Sequence, residues 1–436
     1  MNKFTTQKHI FSMKYKVYTQ KSFKKIPQIQ NLSAEQIFDI EVLGEIFPFK
    51  VNNYVIDELI DWDNFNEDAI FRLTFPQKGM LSKKYFDKMA ELIRNEAPTK
   101  EITKASNEIR LTLNPNPSGQ AHNVPVLNGE ELMGAQHKYN ETMLFFPTQG
   151  QTCHAYCTFC FRWPQFTGLE GLKFAMKEVD LVIAYLKKHP EVTDLLFTGG
   201  DPMVMKSKVF KTYIDAILEA DLPNLKTIRI GSKTLAYWPY RYTKDDDASE
   251  LLEVFRSITD AGLSLSFMAH FNHINELKTA AVAQATKAIR ETGANIRTQS
   301  PLLKHLNDDA NMWANMWRKQ VDMGMIPYYM FMARETGAQE YFGLTLEEAW
   351  TIFRDAYSQV SGICRTVRGP VMSANPGKVQ VLGITEINGE KQYVLNFLQG
   401  RNPKWVGQPF FAKYNDKALW LSDLEPAFAD KFMYED

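Results

Sequence analysis

Cysteine is scarce in this chain of 436 residues: there are four, too few for a disulfide framework in a protein of this size. No stretch approaches the roughly 20 consecutive apolar residues needed to cross a bilayer, so no membrane partner is expected. An excess of charge of one sign is missing too. The formal net charge is -1, so no global field draws the chain toward nucleic acid or an anionic membrane, and a charged ligand must be met locally. Internal repeats and low-complexity blocks are likewise absent. The residues 1–25 hold Lys3, Lys8, Lys14, Lys16, Lys21, Lys24 and Lys25 without an acid, yet they lack the apolar run of a secretory signal. Residues 1–30 therefore read as a solvated basic tail, and the unpaired cysteines as those of a cytoplasmic protein.

What is present is an ordinary globular composition, 44% hydrophobic and 23% charged, which excludes disorder for most of the chain. Residues 31–136 read as a helical N-terminal region, with Ile37, Ile40, Leu43 and Ile46, then Phe86, Met89 and Leu92, at helical spacing. The turn formers at 114–119, NPNPSG, mark a connection and a plausible boundary. Beyond them, short apolar or β-branched runs alternate with amphipathic segments. Strands are expected at 143–147, 194–197, 226–230, 264–271, 295–299 and 327–332. Helical faces between them carry Val179, Val182, Ile183 and Leu186; Val209, Phe210, Tyr213, Ile214 and Ile217; and Leu251, Val254, Phe255 and Ile258. This alternation predicts an α/β core of right-handed parallel βαβ units, as an open doubly wound sheet or an incomplete barrel. In either, function belongs in the loops after the strands.

The loop after the first expected strand, QTCHAYCTFCFRWPQF at 151–166, places Cys153, Cys157 and Cys160 within eight residues. Three thiolates at this spacing can hold one corner of a [4Fe-4S] cubane and leave the fourth iron without a protein ligand. The alternative is a closed Cys3His zinc site completed by His154 or His137. Gly199 and Gly200, after the second strand, let a backbone come close to a ligand, and Asp201 can meet an ammonium, although such a sequence is also an ordinary turn. Cys364 lies alone in a helical stretch and reads as packing.

The cysteine pattern followed by TGGD at 198–201 resembles the radical S-adenosylmethionine (SAM) superfamily. HKYNET at 137–142, DLLFTGGD at 194–201, IRIGSKT at 228–234, HFNHINE at 270–276, QSPLLKHLND at 299–308 and PYY at 327–329 narrow the resemblance to the lysine 2,3-aminomutase family, over roughly 137–385. It implies a partial (β/α)6 barrel at 137–365, with the helical region before it and a C-terminal α+β extension at 366–436. It also implies a [4Fe-4S] cluster that chelates SAM through its amino and carboxylate groups and cleaves it to a 5'-deoxyadenosyl radical. Gly199, Gly200, Asp201, Ser232, His270 and Gln299 stand at the family's SAM-contacting strand ends, although each polar one could equally be a satisfied core group. Members also hold pyridoxal phosphate (PLP) on a lysine near the chain's end. SANPGKV at 373–379 makes Lys378 the candidate Schiff-base lysine, with Lys138 and Tyr139 as further PLP contacts. Here the glycine run is shortened to Gly377, and Thr142 replaces the second basic residue of the 137–142 motif. A lone lysine after a Pro-Gly turn is otherwise a surface residue.

Arg162 matches the family position that pairs with the substrate α-carboxylate. Lysine-specific members hold the distal ammonium with two aspartates, where this chain has Arg334 and Ser373. A cation facing an ammonium is repulsive, so lysine is disfavoured and a distal carboxylate suits the site, unless Arg334 pairs with Glu335 or Glu340. The family's C-terminal cysteine segment, which binds zinc between subunits in some members, has no counterpart.

The expected activity is a 2,3-aminomutase moving an α-amino group to C3 of an amino acid, an acidic one rather than lysine, with flavodoxin or ferredoxin as electron donor and a homo-oligomeric assembly. Two other readings stand beside it: a PLP-independent radical SAM enzyme acting on another small molecule or a peptide, and a non-catalytic metal-binding or iron-sulfur regulatory protein.

Overall fold

The structure, a computed structural model, describes residues 14–169 and 174–435. Its frame is one sheet of eleven strands lying side by side in chain order. They are β1 (Ala135–Tyr139), β2 (Thr142–Phe145), β3 (Asp194–Phe197), β4 (Thr227–Ser232), β5 (Ser264–His270), β6 (Asn295–Leu302), β7 (Ile326–Met332), β8 (Arg368–Ser373), β9 (Gly377–Ile387), β10 (Glu390–Gly400) and β11 (Pro409–Lys413). From β2 to β8 every neighbouring pair is parallel. The other pairs are antiparallel.

Parallel neighbours need a crossover, and helices supply it: α5 (Val179–Lys188), α6 (Ser207–Glu219), α7 (Ala248–Asp260), α8 (Ala280–Arg290), α9 (Ala310–Asp322) and α10 (Leu346–Ser358). Each lays its apolar stripe on the sheet. Phe210, Tyr213, Ile214 and Ile217 of α6, and Leu251, Val254, Phe255 and Ile258 of α7, are buried as their spacing predicts. All six expected strands are present as β2 to β7. The seventh parallel strand, β8, was not expected from the sequence, because RGPVMS carries Gly369 and Pro370 where a central strand rarely does.

The run does not lie flat. Nine strands laid flat at about 4.8 Å spacing would put β1 and β9 about 38 Å apart. Instead Lys378 of β9 sits 5.4 Å from the Tyr139 ring of β1, and the Lys138 ammonium donates to the Ala374 carbonyl beyond β8. The sheet therefore rolls until its first strands meet the β8–β9 corner. Past 366 the chain is β with single 3-10 turns and continues the same sheet, so the expected α+β extension is corrected to an antiparallel meander.

The N-terminal region contains α1 (Ala34–Gly44), α2 (Ala69–Thr74), α3 (Lys83–Arg94) and α4 (Thr99–Thr112), with a short strand pair, Val17–Thr19 against Lys50–Asn52. Tyr18, Phe23, Ile26 and Ile29 are buried, so the tail expected over 1–30 does not extend past Val17; residues 1–13 lie outside the described part. Nor is 114–119 a free connection. Ser118 donates to the Glu335 carboxylate at 2.6 Å and to the Ser373 carbonyl at 3.0 Å, which folds Pro117–Asn123 over the strand ends.

Candidate active site

The C-terminal ends of β2 to β8 open into one cavity of about 350 Å3. Cys153, Cys157, Cys160, Arg162, Gly199, Gly200, Ser232, His270, Gln299, Arg334, Ser373 and Lys378 all line it, as do Lys138 and Tyr139 from β1. Of the residues that the resemblance assigns to the cluster, SAM, PLP or substrate, Asp201 alone does not.

The cysteine loop is irregular backbone and owes its shape to the N-terminal region. Tyr156 donates its N–H to the Lys50 carbonyl at 2.8 Å, Thr158 donates to the Leu73 carbonyl at 2.9 Å, and the Asn52 amide donates to the His154 carbonyl at 3.1 Å. Burial raises the three thiols, Cys157 to about 12 and Cys160 to about 11, so a bare thiolate is disfavoured and a metal's positive charge would have to offset that cost. Neither histidine of the zinc alternative lines the cavity with them. His154 bonds the Thr234 hydroxyl at 2.9 Å, and His137 bonds the Tyr185 hydroxyl at 2.7 Å. The thiols thus fit a cluster held by three ligands.

Two expectations from TGGD are corrected. The Asp201 carboxylate is 1% exposed, accepting from the Met203 N–H at 2.9 Å, the Lys233 N–H at 2.8 Å and the Ser232 hydroxyl at 2.8 and 3.0 Å. Both of its oxygens already accept from these groups and it does not line the cavity; it joins the end of β3 to the end of β4. The Ser232 hydroxyl is spent in the same bond and also accepts from the Thr234 N–H at 3.0 Å. Gly200 serves the protein before any ligand, since a Cβ there would lie 2.5 Å from the Thr152 nitrogen and 2.6 Å from its oxygen. Gly200→Ala is expected to cost about 1–3 kcal/mol of stability through displacement of the cysteine loop, measurable by denaturant unfolding. His270, by contrast, keeps its role open. Its buried Nε2 has no partner, and burial followed by the nearby Lys233 holds it well below its ordinary pKa, so the ring is neutral.

On the other flank Lys378 donates to the Gln399 amide oxygen at 2.6 Å, between the rings of Tyr139 and Tyr329. Burial, then Arg229, Arg368 and Lys138, lowers its pKa to about 7, which makes it a nucleophilic amine near neutral pH rather than a surface lysine. Lys138 falls to about 7 by burial and the neighbouring Arg334 and Arg401. Among the described residues neither Lys138 nor Arg401 has a carboxylate within ion-pair distance. The Lys138 amine, without a carboxylate at ion-pair distance and lining the cavity beside Lys378, fits an anionic phosphate, so this flank fits PLP despite Thr142. Arg401 carries no motif and could not have been found from the sequence.

Between the flanks, the Arg162 and Arg334 guanidiniums lie 5.0 and 4.3 Å from the Phe161 ring centre. Neither forms an ion pair among the described residues. Glu335 bonds Ser118 instead, and Arg334 donates to the Ser373 hydroxyl at 3.0 Å. Burial, then the charge of Arg334, lowers Arg162 to about 10, and its Nη1 is buried without a partner. Burial likewise lowers the pKa of Arg334.

Three cysteines on the loop after the first parallel strand face a cavity at the strand ends of a rolled sheet, the arrangement that the resemblance to radical SAM enzymes implies. No family model matches the chain. It is 29% identical over 402 residues to a putative L-lysine 2,3-aminomutase of Aquifex aeolicus (strain VF5), covering 92% of this chain and 94% of that one. It is 31% identical over 231 residues to the L-lysine 2,3-aminomutase of Escherichia coli (strain K12), covering 52% of this chain and 63% of that enzyme. With the L-lysine 2,3-aminomutase of Clostridium subterminale the identity is 28% over 231 residues, covering 53% and 52%. The chain is thus similar to L-lysine 2,3-aminomutases, to one putative member over nearly its whole length and to the others over about half to two thirds of theirs. Among solved structures, Streptococcus suis SuiB bound to the precursor peptide SuiA aligns over 72% of this chain and 67% of that one at 12% identity and a TM-score of 0.35, a likeness too loose to bear on the site.

Proposed function

We propose that this protein is a 2,3-aminomutase built on a partial (β/α)6 barrel, that it moves the α-amino group of an acidic amino acid to C3, and that lysine is not its substrate. One observation carries the reading: two largely buried guanidiniums, Arg162 and Arg334, with no carboxylate within ion-pair distance among the described residues, share a cavity with the three cysteines and Lys378. Burying unpaired cations is costly, and a ligand with two carboxylates offsets that cost at both ends. A lysine ammonium about 5 Å from Arg334 would instead be repelled by about 3 kcal/mol at an effective dielectric of 20.

In this reading Arg162 takes the α-carboxylate in a bidentate pair. Arg334, its Nη2 fixed by Ser373, takes the distal one. Phe161 keeps the two guanidiniums apart, and the apolar lining from Phe159, Met268 and Phe331 excludes water from a reactive site. When bound, the cluster with SAM supplies an electron and a 5'-deoxyadenosyl radical, and PLP supplies a carbonyl that carries the migrating nitrogen. Gly199, Gly200, His270 and Gln299 border the SAM side; Lys378, Lys138 and Tyr139 border the PLP side. Flavodoxin or ferredoxin as donor, a cytoplasmic location and a homo-oligomeric state belong to the same proposal.

Anaerobic reconstitution with SAM and PLP, a panel of α-amino acids and chromatography of β-amino acids tests it. The expected product comes from a dicarboxylic amino acid, and Arg334→Met lowers kcat/KM for that substrate by about 10²- to 10³-fold. Turnover of lysine in preference to acidic substrates would overturn the substrate, and one-for-one consumption of SAM would overturn the mutase.

A further inference from the structure

The hydroxyl of Tyr237 has a single hydrogen-bond partner, the sulfur of Cys157, 3.4 Å away. Among the described residues no other side chain hydrogen-bonds a cysteine of the loop. Tyr237 is 1% exposed, and its position is built rather than incidental. The Asn52 amide donates to the Tyr237 carbonyl at 2.9 Å as well as to that of His154, so one side chain from the N-terminal region fixes both the phenol and the cysteine loop. The Lys233 ammonium lies 4.5 Å from the centre of the Tyr237 ring, held there by Glu276 at 2.6 Å and Asn272 at 2.9 Å. A free thiol and a phenol can each donate to the other. A thiolate bound to iron has no proton, so the phenol is then the donor.

We propose that Tyr237 tunes the reduction potential of the cluster through an O–H···S bond to the Cys157 ligand. The inference rests on the reading of the cysteines as cluster ligands. A hydrogen bond to a ligand sulfur withdraws electron density from the iron. It stabilises the reduced cluster, which carries one more electron, over the oxidised one and raises the potential. The electron comes from an external low-potential one-electron donor, and no proton is transferred, because the phenol keeps its hydrogen in both states. Tyr237 is a positioning residue: it acts on SAM only through the cluster. The hydroxyl has no other protein group to satisfy, so its removal leaves the surrounding hydrogen bonds intact.

The test uses full-length protein reconstituted with iron and sulfide, in the absence of SAM, titrated by the electron paramagnetic resonance of the reduced cluster. Tyr237→Phe is expected to shift the reduction equilibrium about tenfold toward the oxidised state, a fall of about 59 mV for one electron, at unchanged iron content. Replacing Tyr237 with 4-aminophenylalanine, which keeps the ring, the bulk and a weaker donor, is expected to fall in between, and it carries the test if the phenylalanine variant does not fold. Tyr54→Phe serves as control, since that buried hydroxyl bonds Thr279 at 2.7 Å, and its potential is expected to match the wild type. Equal potentials for tyrosine, 4-aminophenylalanine and phenylalanine at position 237 would overturn the inference and leave the cluster assignment standing. A wild-type protein that assembles no four-iron cluster would overturn both.

Discussion

Alanine in place of any one of Cys153, Cys157 or Cys160 is expected to abolish SAM cleavage, lowering 5'-deoxyadenosine formation by about 10³-fold or more. The argument is geometric. The three thiols line the cavity, and none of the nearby His154, His137 and Asp201 does, so none of these neighbours stands ready to replace one of them. A cubane with two protein ligands loses iron rather than recruiting a substitute. The fold is expected to survive, since the loop backbone is held by Lys50, Asn52 and Leu73 and not by sulfur. Iron analysis, visible absorption and circular dichroism on the same samples separate the two effects. A variant that keeps its iron and cleaves SAM at the wild-type rate would show that the loop is not the cluster site.

Lys378→Ala carries the second large effect, a loss of about 10³-fold in β-amino acid formation with iron content and uncoupled SAM cleavage retained. Borohydride reduction of wild type with PLP is expected to leave the label on the peptide containing Lys378, and the variant to take up none. The depressed pKa gives this site a pH signature. The neutral amine is the nucleophile, so capture of PLP by the bare protein rises with pH through about 7 and levels off above it. Stability moves in the same direction: between about 7 and the ordinary lysine value of 10.5 the unfolded chain binds more protons than the folded one, so stability rises with pH across that window. A capture rate that is flat from pH 6 to 8 would remove the basis for assigning Lys378.

Much of this was legible in the sequence because periodicity and spacing are one-dimensional signals. The six short strands, the apolar faces of α6 and α7 and the crowding of three cysteines are of that kind. What escaped depends on direction and on distant partners. Asp201 sits next to a ligand-facing glycine pair, yet its carboxylate turns inward to Ser232 and to the N–H groups of Met203 and Lys233, and nothing in TGGD says which way a side chain turns. Gly200 is required by Thr152, nearly fifty positions earlier in the chain. The segment Pro117–Asn123 is all turn formers, and its seat over the cavity is set by Glu335 and Ser373. β8 was obscured by a proline. Arg401 comes near Lys138 only because the sheet rolls.

That rolled sheet also bears on how the molecule is made. The contact that joins its two flanks, Lys138 with Ala374, spans 236 positions, and Asn52 reaches Tyr237 across 185. Contacts of such long range form last, because loop-closure entropy must be overcome before they contribute. The cavity wall is therefore incomplete on a nascent chain until β8 and β9 have emerged from the ribosome. Iron and sulfide delivered before then would meet three thiols in a cavity still open on its β8–β9 side, which places cluster insertion after translation, on a sheet whose flanks have already met.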